Sequence, residues 1–378
     1  MLTGPALDNL AAGVARACRS GLDPDALRAE VLPRLRRAVP VDALWWAAAD
    51  PATLLFTRSY REELPEESGP YFVENEFLRR DVNKWTDLAR DPAGVRTLMQ
   101  ATGGRPAGSD RYRDIFAPLG LQDELRAVLR VRGVCWGYLC LHREVASARF
   151  SAAEARFVQQ IAPHIAEGIR MGLLRQDCDL ESPTDGPGLV LLAADGAVAG
   201  MNQAAERWLE ELGGQPDGSE LPIEISALAT RLRHLKDLEP ALPRLRVRTG
   251  SGRWAVVHAS WLSTHAEDTI AVIIEEAAPA EVAPLIMTAY GLTAREQTIT
   301  ALVCQGLPTR QIASQLHLTT DTVQDHLKSV FDRTGVRSRG ELVATILRRD
   351  YLPHAMAGDP LNRSGAFTPA PARARLLP

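Results

Sequence analysis

The chain has 378 residues, 46% hydrophobic and 24% charged, which predicts two or three packed domains rather than one domain or a disordered polymer. Its formal net charge of −4 excludes a general polyanion binder, so any nucleic-acid contact must come from a local basic face. Five cysteines (Cys18, Cys135, Cys140, Cys178, Cys304) form no C-x-x-C pair and no zinc-spaced cluster, which excludes a disulfide framework and suits a reducing compartment.

The first residues lack the apolar core of a signal peptide, and no apolar run reaches ~18 residues, so a soluble, cytoplasmic protein without membrane contact is expected. Helical patterns over Leu7–Ala17 and Asp25–Arg37 open the first folded stretch, 1–174. Ala43–Ala48 and Thr53–Arg58 read as strands flanking an Asp50–Pro51 turn. Glu62 to Asp110 is polar and broken by Gly and Pro, reading as short helices and loops. Ala127–Arg132 and Trp136–His142 read as a hairpin turning at Gly133–Val134. Ser151-x-x-Glu154 is a capping box, and Phe157, Ile161, Ile165 and Ile169 then form one apolar helical stripe with Pro163 as a local kink.

Residues 175–188, around ESPTDGPG, read as a linker. The second stretch, 189–276, starts with a hairpin (Leu189–Ala193, Val198–Met201, turning at Asp195–Gly196) and a helix from Gln203 to Leu212. Leu245–Arg248, Trp254–Leu262 and Thr269–Glu275 follow as strands. The third stretch, 285–349, is helical, and the Pro-, Ala- and Arg-rich tail at 352–378 reads as disordered.

In the third stretch, Thr293-x-x-Glu296 is a capping box, Ile299, Leu302 and Val303 give an apolar face, and Gly306 stops the helix. A short helix after Pro308 buries Ile312, Ala313 and Leu316. His317–Leu318 is the turn, and Thr319 caps a third helix with Val323, Leu327, Val330 and Phe331 inward and Gly335 at its end. A fourth helix spans Arg339–Leu347. Thr320, Gln324, Asp325 and Lys328 lie outward on the third helix, on the face opposite Val323, Leu327 and Phe331. Two helices joined by a short turn, the second polar outside, suit a major-groove reader.

The motifs Leu292-Thr293-x-Arg295-Glu296, Ile312-Ala313, Leu318-Thr319, Thr322-Val323-x-x-His326-Leu327 and Gly335-Val336-x-Ser338-Arg339-x-Glu341-Leu342 resemble the LuxR/NarL-type helix-turn-helix. The resemblance implies that the third helix enters the major groove and reads bases through Gln324, Asp325 and Lys328, with Thr320 a further DNA-contact candidate. His326 has either a structural or a phosphate-contact role, and Arg310, Arg337 and Arg339 are the phosphate candidates. The family has a basic residue where Gln324 stands, and a Leu at Thr334. Leu292–Arg349 carries eight basic and five acidic residues, a net charge of +3, so affinity is expected to lean on dimerisation and on these arginines. Arg295 and Glu296 read as salt-bridge and cap residues.

Ala127 to Arg143, with Trp136-Gly137-Tyr138-Leu139, followed by Phe150-Ser151-x-x-Glu154, resembles the end of a GAF domain. Leu189 to Ala205 and Gly252–Glu275 resemble the ends of a PAS domain. The expected fold is therefore multidomain α+β: two antiparallel-sheet sensor domains, then an all-α four-helix DNA-binding domain. Cys135 and Cys140, five apart in a strand, are expected on opposite faces, which argues for packing over redox chemistry. Trp45, Trp46, Trp136 and Tyr138 could line a pocket, with aromatic core the favoured alternative. No catalytic residue, metal site or cofactor is expected. The Phe157–Ile169 stripe and the linker to Leu189 are expected to couple the first domain to the second, and Leu285–Tyr290 to pass the state to the DNA unit; such amphipathic helices are candidate dimer contacts. The leading reading is a cytoplasmic DNA-binding transcription regulator with double-stranded promoter DNA as partner, acting as a homodimer. Its further partners would be a small-molecule effector, another protein or RNA polymerase. The alternatives are a redox-active GAF-type enzyme, or an interaction module fused to a DNA-binding domain.

Overall fold

The computed structural model describes residues 4–175, 186–235, 244–263 and 268–346. The expected linker centre and the C-terminal tail lie outside the described residues.

Helices α1 (Gly4–Arg19) and α2 (Pro24–Ala38) lead into β1 (Ala43–Ala49) and β2 (Phe56–Glu62). β2 begins three residues later than the sequence pattern places it. The reason is local: Asp50 Oδ1 accepts from Ala52 N at 2.9 Å, Leu54 takes φ +60°, and the chain is still turning at Thr53. Then follow α3 (Ser68–Leu78), α4 (Trp85–Arg90), β3 (Val95–Thr97), α5 (Leu98–Ala101), β4 (Leu121–Val131), β5 (Val134–Glu144) and α6 (Ala152–Arg175). The edge strand β3, inside the stretch read as helices and loops, is an addition to the expected elements. The β4–β5 hairpin turns at Arg132–Gly133, one residue earlier than expected, with both residues at positive φ (+53° and +78°) as a type I′ turn requires.

The first sheet is antiparallel with order β2-β1-β5-β4-β3. α6 packs on β4 and β5 and against α1 and α2. Its Phe157, Ile161, Ile165 and Ile169 are all buried, and Ser151 and Glu154 form the expected capping box. Gly168 lets α6 approach closely, because a Cβ there would meet Leu27 Cδ1 at 2.9 Å.

The second sheet comprises β6 (Gly188–Leu192), β7 (Val198–Met201), β8 (Arg244–Arg248), β9 (Trp254–Ser263) and β10 (Asp268–Glu276), in the order β7-β6-β10-β9-β8. Helices α7 (Gln203–Glu211) and α8 (Ile223–Leu235) lie between β7 and β8 in sequence. α8 is absent from the sequence expectation. It packs on β8 and β9 and, on its other side, against α3 and β2 of the first sheet. The Arg246 guanidinium grips the buried Asp50 carboxylate at 2.7 and 2.8 Å, and Arg61 reaches Glu220 at 2.9 Å. Both sheets therefore belong to one compact unit ending at Glu275.

A second unit starts at Glu276 and contains α9 (Pro279–Ala289), α10 (Ala294–Cys304), α11 (Thr309–Gln315), α12 (Thr320–Thr334) and a helical segment at 339–346. Its core joins Ile299, Val303, Ile312, Val323, Val330, Leu342 and Ile346, all buried.

Candidate nucleic-acid interface and sensor cavity

The helical unit is built from local signals. Thr293 Oγ1 accepts from Glu296 N while Glu296 Oε2 accepts from Thr293 N at 2.7 Å, closing the α10 capping box. The buried Glu296 carboxylate also accepts from Ser329 Oγ at 2.6 Å, tying α10 to α12. Burial would raise this carboxyl, but the hydrogen bonds from Ser329 and Thr293 lower it below the usual range. Arg295 donates to Leu316 O at 3.0 Å and so closes the end of α11.

His317 takes φ +54° in the turn, and Leu318 N donates to Ala313 O at 2.8 Å. Thr319 Oγ1 caps α12 by accepting from Thr322 N, and Gly335 ends it at φ +74°. Val323, Leu327 and Val330 of α12 are buried, while Thr320, Gln324, Asp325 and Lys328 are exposed. His326 is half-buried. Arg310 and Arg337 are exposed, whereas the half-buried Arg339 is already engaged: its guanidinium donates to Leu307 O at 2.5 Å and Thr309 Oγ1 at 3.1 Å. Thr334 Oγ1 donates to Val330 O at 2.7 Å, so the residue standing in place of Leu is satisfied within its own helix.

The hairpin of the first sheet carries a polar cluster that sequence reasoning missed. Glu124 pairs across the strands with His142, and Arg126 with Cys140, on the face that also bears Trp45. Glu124, Arg126, Cys140 and His142 are all buried, as is Arg111 at the start of the short helical stretch before β4. Arg111 meets Glu124 at 2.7 Å, and Arg126 meets Glu124 at 2.9 Å and Glu76 at 2.8 Å. Arg126 also stacks 4.4 Å over the Trp85 ring. Asp81 accepts from Arg111 N at 2.7 Å, and Lys84 Nζ donates to Glu76 O at 2.7 Å. Three cations thus face three carboxylates, which makes the burial of each tolerable. The signal was in the sequence: charges at Glu124 and Arg126 alternate with apolar residues at period two in a strand whose partner alternates Cys140 and His142.

Burial alone would raise the Glu124 carboxyl, but the Arg111 and Arg126 charges outweigh it and hold it well below the carboxylate range. Burial, reinforced by Glu124, pushes the Cys140 thiol well above its ordinary value. Burial lowers His142 to about 4, so its ring is neutral. Cys140 Sγ stands 3.2 Å from Glu124 Oε1 and 3.3 Å from His142 Nε2. This geometry brings a thiol, an imidazole and a carboxylate within 4.8 Å of one another, yet the chemistry fits neither a metal nor a nucleophile. A cation would sit against two guanidiniums, and the thiol is held in its unreactive protonated form.

Cys135 and Cys140 do not lie on opposite faces as strand alternation predicts. Leu129 pairs with Gly137 and Arg130 with Cys135, so Trp136 is a bulge residue. The bulge brings Cys135 to the face of Tyr138, with whose side chain it interacts.

Beside the cluster lies a cavity of about 490 Å³, counting its open mouth. Trp45, Leu64, Phe72, Ile115, Phe116 and Ile223 supply its apolar wall, and Ser59, Arg61, Ser68 and His142 its polar positions. Of the four aromatics proposed for a pocket, Trp45 lines it. Tyr138 packs behind it, 4.6 Å from Trp85, with its hydroxyl donating to Leu54 O.

A model of bacterial regulatory proteins, luxR family, matches residues 291–346. The spore germination protein GerE of Bacillus subtilis is 35% identical over 61 residues, which span 82% of that protein and 16% of this chain. The chain belongs to the luxR family of bacterial regulatory proteins. Two longer relatives match over the same kind of segment. The monoamine regulon transcriptional regulator of Klebsiella aerogenes is 39% identical over 17% of this chain and 26% of its own length. The response regulator Rre1 of Synechocystis is 41% identical over 15% of this chain and 24% of its own. The chain thus spans only about a quarter of those two relatives. A GAF domain model matches residues 34–169. The solved GAF domain of a phosphoenolpyruvate-protein phosphotransferase from Coxiella burnetii overlaps 44% of this chain and 95% of its own, at 17% identity and a TM-score of 0.31.

This luxR-family chain is accordingly a LuxR-type DNA-binding regulator with a GAF domain ahead of its helix-turn-helix. The buried charge cluster and every residue of the cavity wall except Ile223 lie within the GAF match. Among the described residues no helix is long and apolar enough to cross a membrane.

Proposed function

We propose that this regulator binds promoter DNA as a homodimer by laying α12 in the major groove, and that occupancy of the cavity in its GAF domain modulates that binding. The observation that carries the first part is that α12 exposes Thr320, Gln324, Asp325 and Lys328 while burying Val323, Leu327 and Val330. Gln324 suits bidentate recognition of adenine, Asp325 accepts from the cytosine amino group, and Lys328 suits guanine or phosphate. Arg310 and Arg337 are exposed and serve as phosphate contacts, with His326 at the edge of the face. Arg339 acts mainly by fixing the helical segment at 339–346 to the start of α11, through Leu307 and Thr309.

Lys328→Ala tests this reading. It should weaken binding to the chain's selected operator about tenfold or more and leave the thermal midpoint unchanged. Equal affinity with an equal salt dependence would remove α12 as the reading helix. A recovered operator with two-fold symmetry is expected for a homodimer.

The cavity supports the sensing role because it is mostly apolar with a few convergent polar groups, as small-molecule sites are. Ile223, from α8, forms part of its wall. Occupancy therefore bears directly on the helix that packs on the second sheet. Gly69 lines the cavity at a point where an added Cβ meets nothing within 4 Å. Gly69→Phe places a bulky side chain at the cavity wall and should lock operator affinity at one level. An effector response intact in that variant would refute the cavity as the sensor.

A further inference from the structure

The cavity carries information about what it binds, an inference that rests on the sensor reading above. Exposure divides its wall. Ser59, Arg61 and Pro65 are exposed and mark the mouth, whereas Trp45, Ile115 and Phe116 are buried and mark the floor. These floor side chains form the wall itself, so an occupant touches them without reaching any atom behind it. Trp45 lies 5.4 Å from Phe72, a further wall residue. Ile115 and Phe116 share one apolar cluster with Ala43 and Leu121, against which Leu64 and Phe72 also pack. Both stand on a single π-helical turn, Tyr112–Phe116, closed by Ala117 N donating to Tyr112 O at 2.8 Å. Single π turns are rare and recur at functional sites.

Charge is the second observation. Arg61 is the one charged side chain among the described lining residues, and two carboxylates, Glu66 and Glu220, already hold it. His142 is neutral at the wall; its Nδ1 is buried, and its Nε2 faces Cys140 Sγ at 3.3 Å. Behind the wall, Glu124 is held by Arg111 and Arg126. The floor therefore offers an entering charge no free counter-charge. An ion brought to it would exchange its water for hydrocarbon, which costs far more than the same transfer of an uncharged group. Apolar surface seated there gains by leaving water. At the mouth a polar group keeps its contact with solvent, beside the exposed Ser59 and Arg61.

We infer that the cavity takes a small uncharged molecule, seated with an apolar end on the floor and its polar group at the mouth. Isothermal titration of the full chain with p-cresol, 4-hydroxybenzoate and 4-hydroxybenzylamine tests this. The three share a phenol ring and differ at the opposite end, which is a methyl, a carboxylate or an ammonium group. p-Cresol should bind at least about tenfold tighter than either charged probe. Its methyl should give a nuclear Overhauser contact to the Ile115 methyls in a methyl-labelled chain, and Gly69→Phe should weaken its binding. Equal or tighter binding of a charged probe, no binding of p-cresol, or binding undiminished in Gly69→Phe overturns the inference. The wild-type order of the probes decides should that variant not fold. The probe order is read by binding alone, and the sensor reading by operator affinity, so either can fail without the other.

Discussion

Replacing Glu296 with alanine removes two structural links at once. The capping box with Thr293 contributes about 1 kcal/mol. The hydrogen bond from Ser329 ends on a buried carboxylate only 4% exposed, and such charged bonds contribute about 1.5–3 kcal/mol. Arg333, at 3.6 Å and largely exposed, adds little. The loss is therefore about 3 kcal/mol, a large share of the ~5–15 kcal/mol of a typical domain. For a unit of this size it lowers the melting midpoint by roughly 10 °C or more. Calorimetry of the full chain would follow the transition of the helical unit. Ser329→Ala should reproduce more than half of the effect, and the double variant should fall short of the sum because the two share one bond. DNA affinity measured well below the midpoint should persist, since neither residue lies on the outward row of α12. A loss under about 1 kcal/mol would refute the role of Glu296 as the link between α10 and α12.

Glu224, in the first turn of α8, is raised by burial from 4.5 to about 7. A carboxyl raised on folding costs stability as pH climbs through this interval, about 3 kcal/mol once pH exceeds 7. Glu224→Gln should therefore stabilise the first unit at pH 8 and change little at pH 4.5, and urea unfolding at the two pH values checks the sign. Glu124→Gln strips the buried Arg111 and Arg126 of a shared counter-charge and should cost about 3–5 kcal/mol by the same measurement. A near-neutral result would mean the cluster is not held by charge. Iodoacetamide at pH 8 should leave Cys18, Cys135 and Cys140 unmodified in the folded chain, since burial pushes Cys18 to about 12, Cys135 to about 11 and Cys140 well above its ordinary value. Rapid alkylation of Cys140, read by mass spectrometry, would reopen thiol chemistry at the His142 site.

The helix-turn-helix was legible because its determinants are local. Thr293 and Glu296 close their box within three residues, Thr319 caps α12 from the adjacent position, and Gly335 supplies the left-handed stop. Each is a backbone requirement that only a few residue types meet, so spacing alone identifies it. The same holds for Ser151 and Glu154 ahead of the stripe from Phe157 to Ile169. Arg339 shows the limit: its place in the motif pointed to phosphate, and its engagement by Leu307 and Thr309 depends on a contact more than 30 residues back. The sensor half was decided almost wholly by tertiary structure. Arg126 is tolerable in a buried strand because Glu76, 50 residues earlier, reaches it alongside Glu124, and Arg111 because Glu124 and Asp81 face it. The period-two charges at Glu124 and Arg126 mark the strand, but the partners brought from Glu76 and Arg111 have no fixed spacing along the chain, so local pattern cannot name them. The Trp136 bulge reversed the expected facing of Cys135, and α8 joined two sheets that read as separate domains. Short-range hydrogen-bond demands fixed the DNA-binding unit in the sequence; long-range pairing of charges and packing across strands fixed the cavity and what can enter it.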